Sequence, residues 1–176
     1  MPFAKGLSFQ EFLRLDPLQY QKKNHRNCAC IEFWSDVEED WAYMDNDTRM
    51  RRLNQYFDYI RIKADDITHP LNGNKLFTKE DAYKIVTFIR KHQRDDIVVH
   101  CNEGISRTGA VIYVLEQYFG YETGQSWQGW GISHQYNANT FVLKRLEESL
   151  GVHHRFEFWK VFLRMLNLFS NTNKAN

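Results

Sequence analysis

The chain has 176 residues, 43% of them hydrophobic, and a formal net charge of +1. That is enough apolar material for the core of one α/β domain and too little chain to favour two. The near-neutral balance argues against a global attraction for nucleic acid or an anionic membrane, so any affinity for anions must be local.

Three cysteines, Cys28, Cys30 and Cys101, are too few and too unevenly placed for a disulfide framework. Met1 to Gln10 lacks the apolar stretch of a signal peptide, and no apolar run approaches the length of a membrane span. A soluble, cytoplasmic protein is expected. In chain order, Asn27 to Phe33 reads as a strand on which Cys28 and Cys30 face the same side, followed by an acidic, aromatic loop from Trp34 to Asp47. Thr48 is placed to cap a helix running to Phe57, and Asp58 to Lys63 has strand character. His69-Pro70 and Asn72-Gly73-Asn74 mark Ala64 to Leu76 as a loop.

Thr78, with Asp81 three residues on, opens a helix whose apolar stripe is Ala82, Ile85, Val86, Phe88 and Ile89. Ile97-Val98-Val99 is a short buried strand, and the helical run from Gly109 ends near Gly120. Tyr121 to Tyr136 looks irregular. Asn139 or Asn137 caps a helix ending at Gly151, and Arg155 to Phe169 forms a last amphipathic one. One domain over residues 1–170 and a frayed tail over 171–176 are expected. Alternating strands and helices predict a mostly parallel central sheet with helices on both faces.

Between the Ile97-Val98-Val99 strand and the helix after it stands His100-Cys101-Asn102-Glu103-Gly104-Ile105-Ser106-Arg107-Thr108. A loop wrapped around a helix N-terminus is an anion cradle: the N–H groups of residues 102–107 can point inward, and Arg107 offers a planar fork to two phosphoryl oxygens. The same field favours a sulfur anion, the nucleophilic form of Cys101. Anion sites in parallel sheets also lie at the carboxyl ends of strands, where Cys101 falls.

This element resembles the signature loop of the cysteine-dependent protein tyrosine phosphatases, with His100, Cys101, Gly104, Arg107 and Thr108 at that motif's fixed positions. The chain length is closest to the compact dual-specificity group. The resemblance implies that Cys101 attacks phosphorus while Arg107 and the loop of Asn102, Glu103, Gly104, Ile105 and Ser106 bind the phosphoryl oxygens. Thr108 would hydrogen-bond the departing thiolate, and His100 would hold the loop from behind. No metal or other cofactor is implied.

A phosphate ester also needs an acid to protonate its leaving group. The resemblance places this acid in a loop before the signature strand, where Asp65-Asp66 stands; Asp66, 35 residues before Cys101, fits best and Asp65 is the reserve. Trp34-Ser35-Asp36 lies too early and reads as packing and a turn. Asn139-Thr140-Phe141-Val142 resembles a helix start that braces the loop in small relatives; a plain N-cap is the other reading, and Ala138 stands where relatives often have proline.

The implied activity is hydrolysis of phosphotyrosine, and of phosphoserine or phosphothreonine where the pocket is shallow, with phosphorylated protein as partner. A phosphate-binding pseudophosphatase is the alternative of a different class. Lipid substrates fit poorly, because the loop's one cation is Arg107. RNA 5′-triphosphatase chemistry would need Lys22, Lys23, Arg26, Arg49, Arg51 and Arg52 to form a basic rim, for which solvated helix faces are the competing account. Rhodanese-like sulfur transfer fits worst. Cys30 could protect Cys101 as a reversible disulfide if their Cα atoms lie within about 7 Å, or be a core residue. Trp127, Trp130 and Tyr136 either border the pocket or pack, and His153-His154 lacks partners at metal-ligand spacing.

Overall fold

The computed structural model describes residues 1–35, 46–123 and 138–152. Four strands, β1 (Ala4–Leu7), β2 (Cys28–Trp34), β3 (Asp58–Lys63) and β4 (Asp96–His100), pair in the order β1-β4-β2-β3. Every pairing is parallel, with Ala4 opposite Ile97, Ala29 opposite Ile97, and Ala29 opposite Asp58. The helices are α1 (Phe9–Arg14), α2 (Pro17–Asn24), α3 (Asn46–Leu53), α4 (Lys79–Lys91), α5 (Ser106–Phe119) and α6 (Thr140–Leu150).

Helices cover both faces, which is why the middle of β4, Ile97-Val98-Val99, is continuously apolar and all five of the strand's residues are buried. On one face Ala29, Ile31, Phe33, Ile97 and Val99 pack against α4, α5 and α6. On the other, Leu7, Cys28, Cys30 and Val98 meet Phe9 and Phe12 of α1 with Leu53 and Tyr56. Local chemistry sets the helix limits. Thr78 and Asp81 form a reciprocal capping box at α4, Asn139 caps α6, and Gly120 and Gly151 close α5 and α6 in the left-handed conformation.

The fold departs from the sequence expectation in its first quarter, where β1, α1 and α2 stand without having been foreseen. β1 is short and carries Gly6 where a strand would present a side chain. A Cβ there would lie 2.8 Å from Thr108 Cγ2, so the glycine lets α5 pack directly on the strand. Thr48 does not cap α3 but lies inside it, and the helix stops at Leu53 rather than Phe57. The Phe57 N–H donates to the Cys28 carbonyl and draws the chain into β3.

The helix expected over Arg155 to Phe169, His153-His154, Trp127, Trp130, Tyr136, Asp36 and the tail lie outside the described residues. Among those described, no helix is long and apolar enough to cross a membrane.

Candidate active site

β4, an inner strand, delivers Cys101 to the carboxyl edge of the sheet, and the chain turns through the loop into α5. Two contacts seat the loop on the β1–α1 junction. The Phe9 N–H donates to the Asn102 carbonyl at 2.8 Å, and Gly104, at φ 71°, presses on Leu7 and Ser8 so closely that a Cβ would lie 2.4 Å from Ser8 N. Only glycine meets both demands. Glu103 points outward, accepting from the Asn102 amide at 3.2 Å.

The start of α5 differs from its neighbours. Ser8, Asp16, Thr78 and Asn139 cap α1, α2, α4 and α6 through their side chains, whereas Ile105 at the head of the 14-residue α5 supplies none. The first turn of α5 therefore receives no side-chain cap at its amino end. Beneath it, Cys101 and Arg107 are each 1% exposed. Arg107 Nη1 donates to the Ala64 carbonyl at 2.6 Å, which ties the guanidinium to the segment carrying Asp65 and Asp66. Thr108 Oγ1 is buried without a hydrogen-bond partner among the described residues.

The two adjacent aspartates have opposite surroundings. Asp65 is buried and accepts from the Ser35 hydroxyl and the Lys75 N–H. Burial alone would raise its carboxyl, but bonds from Ser35, Lys75 and Asn74 and the charge of Arg107 hold it below the ordinary aspartate range. Asp66 is exposed and reaches the loop: its Oδ1 accepts from Ser106 Oγ and from Asn139 Nδ2, both at 2.7 Å. Asn139 therefore serves both readings drawn from sequence. Its Oδ1 caps α6 through Phe141 N and Val142 N, while its own N–H donates to the Ser106 carbonyl at 3.0 Å. An open cleft of about 440 Å³ beside Ser106 is walled by Asp66, Ile67, His69 and Asn139, and neither Cys101 nor Arg107 is among the residues that line it.

Behind the loop, His100 is fully buried with its ring 3.9 Å from that of Phe12. Burial, reinforced by Arg49, Arg61 and Arg107, lowers it to about 3, so the 3.7 Å approach of Nε2 to Glu32 Oε1 joins a neutral ring to the carboxylate and is no ion pair. Glu32 is itself buried, bonded to Arg61 and 3.9 Å from Arg49. Burial raises this carboxyl, and the two arginines oppose the shift.

No family model and no curated protein matches the chain. Among solved structures it is similar to a DUF442 protein from Shewanella putrefaciens CN-32, provisionally described as a phosphatase, at 20% identity and a TM-score of 0.47, over 86% of this chain and 85% of that one. A second structure from that source matches at 19% identity and a TM-score of 0.44, over 82% and 85%. Tk-PTP in its active form matches at 17% identity and a TM-score of 0.43, over 83% and 90%.

Two ideas weighed from sequence are corrected by the geometry. Cys28 and Cys30 pack on one face of the sheet and Cys101 in the core of the other, so the sheet stands between the sulfurs of any redox pair with Cys101. Burial, with Asp96 and Asp95, pushes Cys28 up to about 12, and burial with Glu32 pushes Cys30 well up, so both are unreactive thiols. The basic rim does not assemble either. Arg49 is buried against Glu32, Arg52 donates to the Leu13 carbonyl, and Arg26 lies 3.7 Å from Asp96 at the far end of β4.

Sequence reasoning missed the seat formed by Leu7 and Ser8, whose signal was the capping-box spacing of Ser8 and Glu11. It also missed the Ser106 side chain, named there only as part of the loop. No local pattern announces its bond to Asp66.

Proposed function

We propose that the protein is a cysteine-dependent phosphoric monoester hydrolase of the compact dual-specificity type, acting in a reducing compartment on phosphorylated proteins. Phosphotyrosine is the first substrate, and phosphoserine and phosphothreonine esters are the second class to test. The observation that carries the reading is the uncapped start of α5, with Cys101 and Arg107 buried at its base and Asp66 held over the same turn. A side chain capping α5 would compete with an oxyanion for those N–H groups.

In the first step the Cys101 thiolate attacks phosphorus, the S–P bond forms and the P–O bond to the leaving group breaks, with Asp66 giving its proton to the departing oxygen. The loop and Arg107 take up the charge on the three equatorial oxygens. In the second step water attacks phosphorus, Asp66 takes a proton from it, and the S–P bond breaks to release phosphate and thiolate. The unpartnered Thr108 hydroxyl is suited to donate to that sulfur.

The test is phosphate release from aryl, alkyl and phosphopeptide esters, together with acid-quench trapping of a covalent phosphoenzyme. A wild-type protein that hydrolyses none of these and traps no intermediate, yet binds phosphopeptide, is a phosphate-recognition module instead.

A further inference from the structure

The side chains around Asp66 distinguish its two carboxylate oxygens, and that distinction deepens the phosphatase reading on which it rests. Oδ1 accepts from Ser106 Oγ and from Asn139 Nδ2, each at 2.7 Å, while Oδ2 has no hydrogen bond among the described residues. The amide of Asn139 is not free to turn around. Its oxygen accepts from Phe141 N at 3.1 Å and Val142 N at 3.0 Å, so the group facing Asp66 must be the NH₂. A third tie, from the Asn139 N–H to the Ser106 carbonyl at 3.0 Å, binds the two donors to each other.

An NH₂ group cannot accept a hydrogen bond. A proton on Oδ1 would meet that N–H head on, whereas a proton on Oδ2 meets nothing. We infer that Asn139 and Ser106 are positioning residues for the acid: they occupy Oδ1 of Asp66 and leave Oδ2 as the oxygen through which both proton transfers run. Oδ2 gives its proton to the leaving oxygen as the P–O bond breaks, and Oδ2 takes one from water as the S–P bond breaks. Because Ser106 opens α5 and Asn139 opens α6, the acid is registered to the phosphate loop by the same two helix starts that shape the site. Asp66 is an exposed residue, as an acid that must meet a bound ester has to be.

Asn139→Asp separates positioning from capping, since aspartate caps a helix about as well as asparagine but presents an acceptor where Asp66 needs a donor. Ser106→Ala removes the second donor, and Ser106→Thr retains it. The readout is the ratio of kcat/KM for phenyl phosphate to that for p-nitrophenyl phosphate, because only the poorer leaving group leans fully on the acid. Asn139→Asp and Ser106→Ala should each lower this ratio about tenfold, part of the roughly 10²–10⁴ that general acid catalysis supplies, and Ser106→Thr should restore it. In an Asp66→Asn background neither substitution should change the ratio further. Losses that are equal for both esters, or that persist without Asp66, overturn the positioning role. A wild-type protein inactive on both esters overturns the phosphatase reading itself, an outcome distinct from an active enzyme whose variants lose both esters alike. Thermal midpoints near wild type for Asn139→Asp and Ser106→Thr keep the comparison one of folded proteins.

Discussion

At the amino end of the sheet Asp96 accepts from the Phe3 N–H at 2.8 Å and the Tyr20 hydroxyl at 3.3 Å, with Arg26 at 3.7 Å. Close by, the buried His92 ring lies between Asp95, 2.9 Å from Nδ1, and Asp58, 3.1 Å from Nε2. The carboxyl end instead keeps polar groups without partners among the described residues: α5 has no side-chain cap, the buried Thr108 hydroxyl makes no hydrogen bond, and exposed Asp66 keeps one oxygen clear. Buried polar groups normally find partners within the protein, so the unpartnered Thr108 hydroxyl beside Cys101 fits the proposed role of meeting a group bound there. The polar groups at the amino end are spent on holding the sheet together, whereas those at the carboxyl end are where the proposed reading places an anion.

The hardest blow to that contrast is at the carboxyl end. Cys101→Ser should lower aryl phosphate hydrolysis by more than about 10³-fold, since the nucleophile is lost, while inorganic phosphate still binds. Steady-state rates and phosphate titration check it; a variant retaining wild-type turnover would show that the end of β4 is not where chemistry occurs. Next in size is a contrast between neighbours. Asp66→Asn should cost about 10²-fold on phenyl phosphate and less on p-nitrophenyl phosphate. Asp65→Asn should instead lose roughly 1–3 kcal/mol of stability, because its carboxylate is the buried acceptor for Ser35 and Lys75. If Asp65 proves to carry the leaving-group dependence, the acid has been assigned to the wrong residue.

That pair also shows how far the sequence could be read. The loop from His100 to Thr108 was legible because rare residues stand at fixed spacing between a strand and a helix, and α4 because Thr78 and Asp81 cap it reciprocally. Which of two adjacent aspartates turns inward depends on Ser35, 30 positions away, and on Lys75, 10 away, and no local pattern encodes either. β1 was missed for a similar reason. It is four residues long, carries Gly6, and takes its place through pairing with β4, some 93 positions further on. The row of His100, Glu32 and Arg61 exists only once β4, β2 and β3 lie in parallel register.

A smaller effect separates the support behind the loop from the loop itself. Unfolded histidine binds its proton near pH 6.5, whereas buried His100 is held down to about 3. As pH falls through that window the unfolded chain takes up a proton that the folded protein refuses. Stability therefore drops by up to about 1.4 kcal/mol per pH unit from this group and is flat above the window. Urea unfolding of wild type and His100→Asn from about pH 7 to about pH 4 should show a shallower slope in the variant. Equal slopes would mean that the His100 site admits a proton, which its burial beside Arg49, Arg61 and Arg107 opposes.

The change with the least expected effect on catalysis sharpens the comparison from the other side. Asp96→Ala strips the Phe3 N–H and the Tyr20 hydroxyl of their acceptor at the foot of β4, four residues before β4 ends at His100. Leaving such donors unsatisfied costs about 1–3 kcal/mol, enough to lower the urea midpoint clearly. The strand is anchored independently at its middle, where Val98 pairs with Lys5 on one side and Cys30 on the other. The loss should therefore stay at the amino end, and kcat/KM per folded molecule should match wild type for good and poor leaving groups alike. Should Asp96→Ala change the leaving-group ratio, the two ends would be coupled through β4, and the division between a structural edge and a reactive one would fail.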